Sequence, residues 1–179
     1  MANSGKIPDN RALDQFYKNT EMDGFICGLD HQYARDPNLG TLDIGKIDRD
    51  AANGNCGLKE LPIRIAHGEH RGPTNGYGIR HILIGHGQEL ADDDWYSVQD
   101  FVQCVIEGFD AIYQDPDRPK RWQLVERASI SISKHRIIVI EASGCGNFYK
   151  VITGWLKDGE RRLTKTPVWE RRDRSPKSG

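Results

Sequence analysis

The sequence predicts an α+β domain whose helices pack on one face of an antiparallel β-sheet meander. Three observations predict it. Apolar residues recur at helical spacing in two stretches between Gly76 and Phe109. Beyond Pro119 the apolar period changes to two. The period-two runs are short and separated by polar, glycine-bearing connections, which makes hairpin partners of neighbouring strands.

The elements follow in order. Asp14–Tyr17 can form a helical turn, Asp36–Gly40 reads as a turn, and Leu39–Ile47 alternates enough for a short strand. Asp48–Leu61 can hold a helical turn that Asn53-Gly54-Asn55 interrupts, and Leu61–Ile65 reads as a strand. His67–Gly76 is a polar, glycine-rich loop. In the next helix Ile79, Ile82 and Leu83 form the apolar stripe, His86 continues it, and Gly87 is placed to stop it. Asp92-Asp93-Asp94 forms a solvated loop before the clearest helix. There Ser97 is the N-cap, with Asp100 three residues on, and Val98, Phe101, Val102, Val105, Ile106 and Phe109 make a continuous apolar stripe. Asp115–Pro119 is a hinge, followed by strands at Trp122–Glu126, Ser129–Ser133, Arg136–Glu141 and Phe148–Thr153. Ser133–His135 and Ser143–Asn147 supply hairpin connections. Residues 1–40 read as an extension or pre-domain, 41–160 as the α+β domain, and 161–179 as a basic, flexible tail.

Composition narrows the function classes. The chain has 179 residues, 37% apolar and 28% charged, enough for one domain with a real core. An apolar run long enough to span a membrane is absent, and no apolar segment follows Met1–Lys6 as a secretory signal would, so the expected location is cytoplasmic. Cys27, Cys56, Cys104 and Cys145 form no CxxC pair, which fits reduced, structural thiols, although a Cys27–Cys56 bridge stays open. The net charge of −1 hides an asymmetry: residues 118–179 hold most of the Lys and Arg, and residues 1–117 most of the Asp and Glu. Such a basic segment attracts polyanions, and Trp122, Tyr149, Trp155 and Trp169 offer it stacking surfaces. Attraction between the two halves inside one fold explains the same asymmetry, and both readings can hold together.

Histidines carry the candidate chemistry. His81 and His86 share one helix but lie roughly 140° apart around it, so they cannot aim along one line. A histidine in the last helical turn would face the negative end of the helix dipole. The bland alternative is that both are satisfied helix-end residues. His67 and His70 lie upstream, but their loop has no helical frame to set zinc-binding geometry, so no metal site is expected.

Gly45-Lys46-Ile47, the strand Ile63-Arg64-Ile65, then Gly78-Ile79-Arg80-His81-Ile82 with His86, a second helix, and a meander ending in Tyr149 and Thr153 come in a familiar order. This order resembles the barnase–EndoU–colicin–RelE-like ribonuclease fold, particularly its phage-type members and its polymorphic and contact-dependent toxin nucleases. The resemblance covers roughly residues 40–160. Two features depart from the family pattern: Gly85 stands before the second histidine, where the family often has a basic residue, and the first part of the chain is acidic.

The resemblance implies metal-independent cleavage of RNA or tRNA without a cofactor. His81 and His86 would be the acid/base pair, Arg136 would hold the phosphate with Lys150 as its substitute, and Tyr149 and Thr153 would donate hydrogen bonds from one strand face. Arg80, Lys134 and Lys150 would bind substrate. As a toxin domain it would act in a target-cell cytoplasm, and an acidic immunity protein would cover the basic face around Lys134, Arg136 and Lys150. A structural alternative stands beside each role: Arg136 as a surface strand residue, Tyr149 as a core aromatic, Thr153 as a good β-former. The competing function is a non-enzymatic phage or prophage nucleic-acid-binding module of the same fold.

Overall fold

A computed structural model describes residues 10–22, 43–53, 57–115, 117–129, 133–159 and 166–171. Its elements run α1 (Asn10–Met22), β1 (Gly45–Lys46), α2 (Arg49–Ala52), β2 (Pro62–Arg64), β3 (Glu69–Gly72), β4 (Asn75–Tyr77), α3 (Gly78–Asp92), α4 (Val98–Gly108), β5 (Ala111–Gln114), β6 (Arg121–Glu126), β7 (Lys134–Ala142), β8 (Tyr149–Asp158) and β9 (Trp169–Glu170). The fold is α+β. A seven-stranded sheet has the order β1-β2-β8-β7-β6-β5-β9, antiparallel except where β2 meets β8, and β3 pairs with β4 in a separate hairpin.

The expected meander is present from β5 to β8, and it begins one strand earlier than the sequence pattern indicated. Ala111–Gln114 pairs with Gln123-Leu124-Val125 and Trp122, so β5 and β6 form one hairpin across the expected hinge, and the chain does not divide into separate parts there. The acidic and basic halves therefore share one sheet, and Arg127–Asp110 and Lys134–Asp93 pair across the division, each at 2.8 Å. Part of the tail is also built in: Trp169 and Glu170 pair with Ile112 and Ala111.

One core holds the layers together. Phe16 of α1, Ala51 of α2, Ile79, Ile82 and Leu90 of α3, and the whole α4 stripe pack on Ile112, Leu124, Ile138, Ile140, Tyr149 and Val151. Each large apolar side chain taken fully out of water contributes about 1.5–3 kcal/mol. On the opposite face of the sheet a smaller cluster forms from Ala111, Tyr113, Val125 and Ile137, with Trp155 beside them. Ser97 caps α4 as its sequence indicates, its Oγ accepting the Asp100 N–H at 3.1 Å. Asp48 does the same for α2, accepting from Ala51 N at 2.8 Å.

Two local expectations are corrected. Gly87 does not end α3, which continues to Asp92. Leu90 and Ala91 extend the buried stripe, and Gly87 itself is buried inside the helix against Leu13 and Tyr17 of α1. His67–Gly76 is not only a loop: Gly72-Pro73-Thr74-Asn75 closes the β3–β4 hairpin, with Pro73 at the second turn position it favours. The Asp36–Gly40 turn, the start of the Leu39–Ile47 strand, the centre of the Ser129–Ser133 strand and the Cys27–Cys56 pair lie outside the described residues.

Candidate functional site

A β-bulge in β8 creates the site. Val139 pairs with Thr153, yet the next residue, Ile140, pairs with Val151, so Ile152 is an extra residue on β8. Simple alternation would put Tyr149, Val151 and Thr153 on one face. The extra residue reverses this. Tyr149 and Val151 stay in the main core, whereas Thr153 stands with Trp155 on the opposite face. A cleft of about 410 Å³ opens there, lined by Ile152, Thr153 and Trp155, the turn Pro73–Gly76, His81 and His86 of α3, and Arg118 and Arg121.

α3 runs along β8 beyond the short stretch that β2 covers. Its apolar side enters the core, and its histidines reach the cleft. His81 is 5% exposed. It lies beneath β4, with Nδ1 at 3.1 Å from Nδ1 of His70 and the two rings stacked. Gly76 makes the space: it has φ +156°, and a Cβ there would fall 2.4 Å from His81 Nδ1. Burial, with His70 and His86 adding to it, pushes the His81 pKa below its ordinary value, so the ring favours the neutral form.

His86 is half-buried in the middle of α3, not in its last turn, so the helix-dipole argument does not apply to it. Its ring is set instead by Glu89, one turn on, whose Oε1 accepts from His86 Nδ1 at 2.9 Å and from the free-edge N–H of Leu156 at 3.3 Å. A carboxylate only accepts, so Nδ1 of His86 carries the hydrogen. Trp155 lies beside this ring, with centroids 6.1 Å apart. The 140° between the two histidines is accommodated because the cleft crosses α3 from the hairpin to Trp155.

The cleft wall is cationic and under-satisfied. Thr153 Oγ1 is buried and makes no hydrogen bond among the described residues. Arg121 is held by Glu141, which Lys150 also approaches at 3.4 Å, so two cations share one carboxylate. Burial alone would raise the Glu141 pKa, but Arg121 and Lys150 hold it below the usual carboxylate value. Arg118 is exposed at the rim.

The structure thus brings together His81, His86 and Thr153, and leaves the other candidates elsewhere. Tyr149 is buried, packs edge-on against Trp122, and its hydroxyl accepts the Lys59 N–H at 2.7 Å. Arg136 stands on the α4 face, bonded to Glu126 at 3.0 Å and stacked over Trp95 at 4.8 Å. Lys134 shares that face and its Nζ is 2.8 Å from Asp93. Arg80 lines a different cavity, between α1 and α3. Lys150 lies over the Tyr77 ring near the cleft without lining it. The basic face imagined for an acidic partner is therefore already paired at Lys134, Arg136 and Lys150. Sequence reasoning marked Trp155 only as a stacking surface of the basic segment, and missed Arg118, Arg121, Glu89 and the role of His70. Glu89 is the one with a readable signal, three residues after His86 on a helix.

Among the described residues no cluster of three or more His, Cys, Asp or Glu could hold a metal ion, and no helix is long and apolar enough to cross a membrane. Cys104 and Cys145 are free thiols. No protein-family model matches the chain, and no curated protein and no solved structure matches it either.

Proposed function

We propose that this chain is a metal-independent endoribonuclease, akin to the barnase–EndoU–colicin–RelE-like enzymes, acting on RNA or tRNA. The observation that carries the reading is the meeting of His81 and His86 in one cleft with two arginines and a Thr153 hydroxyl that has no partner among the described residues. RNA brings its own nucleophile, the 2′-hydroxyl. One imidazole takes its proton as O2′ bonds to phosphorus. The P–O5′ bond breaks, and the other imidazole protonates O5′. The products are a 2′,3′-cyclic phosphate and a 5′-hydroxyl. Arg118, Arg121 and the Thr153 hydroxyl stabilise charge on the phosphoryl oxygens, and Trp155 offers a face to a base.

The test is cleavage of total RNA and tRNA in EDTA by wild type, His81→Ala and His86→Ala. Wild type should leave cyclic-phosphate ends, and either substitution should lower the rate by about 10²–10⁴-fold. Intact RNA with wild type would overturn the reading and favour a nucleic-acid-binding module. As a toxin-type nuclease, the wild type should arrest growth on expression, and His81→Ala should be tolerated.

A further inference from the structure

His70 is the one imidazole at the site that does not line the cleft, yet it makes the closest contact to one that does. Two Nδ1 atoms 3.1 Å apart can share only one hydrogen between them. One ring must donate and the other accept. Each ring is then fixed as a single tautomer, with its other nitrogen, Nε2, left for its surroundings.

The arrangement is built. The β3–β4 hairpin places His70 over α3 by pairing it with Gly76, the residue whose missing side chain makes room for His81. The stacking at 5.2 Å between centroids fixes the ring plane as well as the hydrogen bond. His81 is buried while His70 is half-exposed, so His70 can keep its own hydrogen on Nε2 toward water. His86 is oriented independently by Glu89.

We propose that His70 is a positioning residue: its Nδ1 accepts the Nδ1–H of His81, which bares Nε2 of His81 to the cleft and makes His81 the general base and His86 the acid. This rests on the ribonuclease reading for its consequence, but not for its geometry. When the 2′-hydroxyl proton moves to Nε2 of His81, that ring becomes an imidazolium whose Nδ1–H is already donated to His70. The role parallels that of the orienting carboxylate in a Ser-His-Asp triad, with a neutral acceptor in its place. The O5′ leaving group takes its proton from Nε2 of His86, whose Nδ1–H remains on Glu89. The proton lost by His86 is balanced by the one gained at His81.

The experiment is ¹⁵N-labelling of the histidines in the full chain, with two-bond ¹H–¹⁵N correlation spectra near neutral pH. His81→Gln identifies the signals. Wild type should show His81 protonated at Nδ1 and bare at Nε2. His70→Asn retains an acceptor near the Nδ1 position and should keep that tautomer. His70→Phe keeps a stacking ring without an acceptor and should lose it. In RNA cleavage, His70→Phe should lower kcat by roughly 10–100-fold with little change in KM, and His70→Asn should recover most of it. His81 protonated at Nε2 in wild type, or an Nδ1–H tautomer unchanged in His70→Phe, would overturn the proposal. If His70→Phe does not fold, the wild-type spectrum still decides the tautomer. If wild type cleaves no RNA, the ribonuclease reading fails while the spectra still decide the contact.

Discussion

The two faces of the central meander carry the same kinds of residue and put them to opposite uses. On the α4 face, Arg136 is enclosed by Glu126, Cys104 and the Trp95 ring, and Lys134 is tied to Asp93. Every cation named there has a carboxylate within hydrogen-bond reach, and the face is settled. On the cleft face, Arg121 and Lys150 share a single carboxylate, Arg118 stands at an open rim, and Thr153 Oγ1 has no partner among the described residues. A buried donor left without an acceptor is costly unless something else satisfies it. The charges of the α4 face are enclosed and paired, although the Trp95 indole N–H there is also buried without a partner among the described residues, so open charge, more than unsatisfied polarity, distinguishes the cleft face.

Arg136→Ala gives the largest contrast in stability. It leaves Glu126, 14% exposed at its side chain, without its cation, and should destabilise the fold by about 2 kcal/mol, read as a shift in urea midpoint. Folded protein should still cleave RNA at close to the wild-type rate. A collapse of cleavage with stability intact would place phosphate binding on the α4 face and break the comparison.

Thr153→Val should do the reverse. The replacement has nearly the same shape and removes a hydroxyl that bonds to nothing among the described residues, so stability should hold or rise slightly. Cleavage should fall by roughly tenfold if that hydroxyl meets the phosphate. Unchanged cleavage would make the threonine no more than a strand former.

The pH dependence sharpens the comparison further. His81 has a folded-state pKa below its ordinary 6.5, so the unfolded chain binds the proton more readily between those two values. Stability should therefore fall as the pH drops through that window and stay level above it. Urea titrations at several pH values should show this slope in wild type and a shallower one in His81→Gln. An equal slope in both would mean that His81 does not titrate as its burial requires.

The smallest effect belongs to neither face. Arg49 and Glu60 pair at 3.7 Å with the Arg49 side chain 83% exposed, so Arg49→Ala should change stability by less than about 0.5 kcal/mol. A larger loss would show that paired charge alone does not distinguish a structural face.

Legibility differed sharply between elements. α4 was readable in its start and its buried stripe, because an N-cap serine and six apolar positions at helical spacing leave one solution, although the last of them, Phe109, stands just past the helix end. α3 was readable in existence but not in length, since Gly87 reads as a stop until α1 is seen packed against it. α1 spans thirteen residues where only the turn Asp14–Tyr17 was marked, because it contributes one fully buried aromatic, Phe16, and little stripe. β9 has two residues, too few for any period. Within the site, the two histidines were legible as residue types, whereas the partners that orient them were not. His70 comes from a hairpin disguised as a loop, and Arg118 from a turn that resembled a hinge.

The sequence alone determined the α+β class, the β6–β8 part of the meander after its helices, and the pairing of an acidic first part with a basic second part, because periodicity and charge are local properties of a chain. The tertiary structure decided which of those charges remain available and which strand residues face the cleft. One inserted residue, Ile152, turned Thr153 away from Tyr149. Strand parity set Arg136 against α4 and left Arg121 at the cleft. Both outcomes depend on register between distant segments, and register is fixed only when the strands meet and bury their apolar faces together.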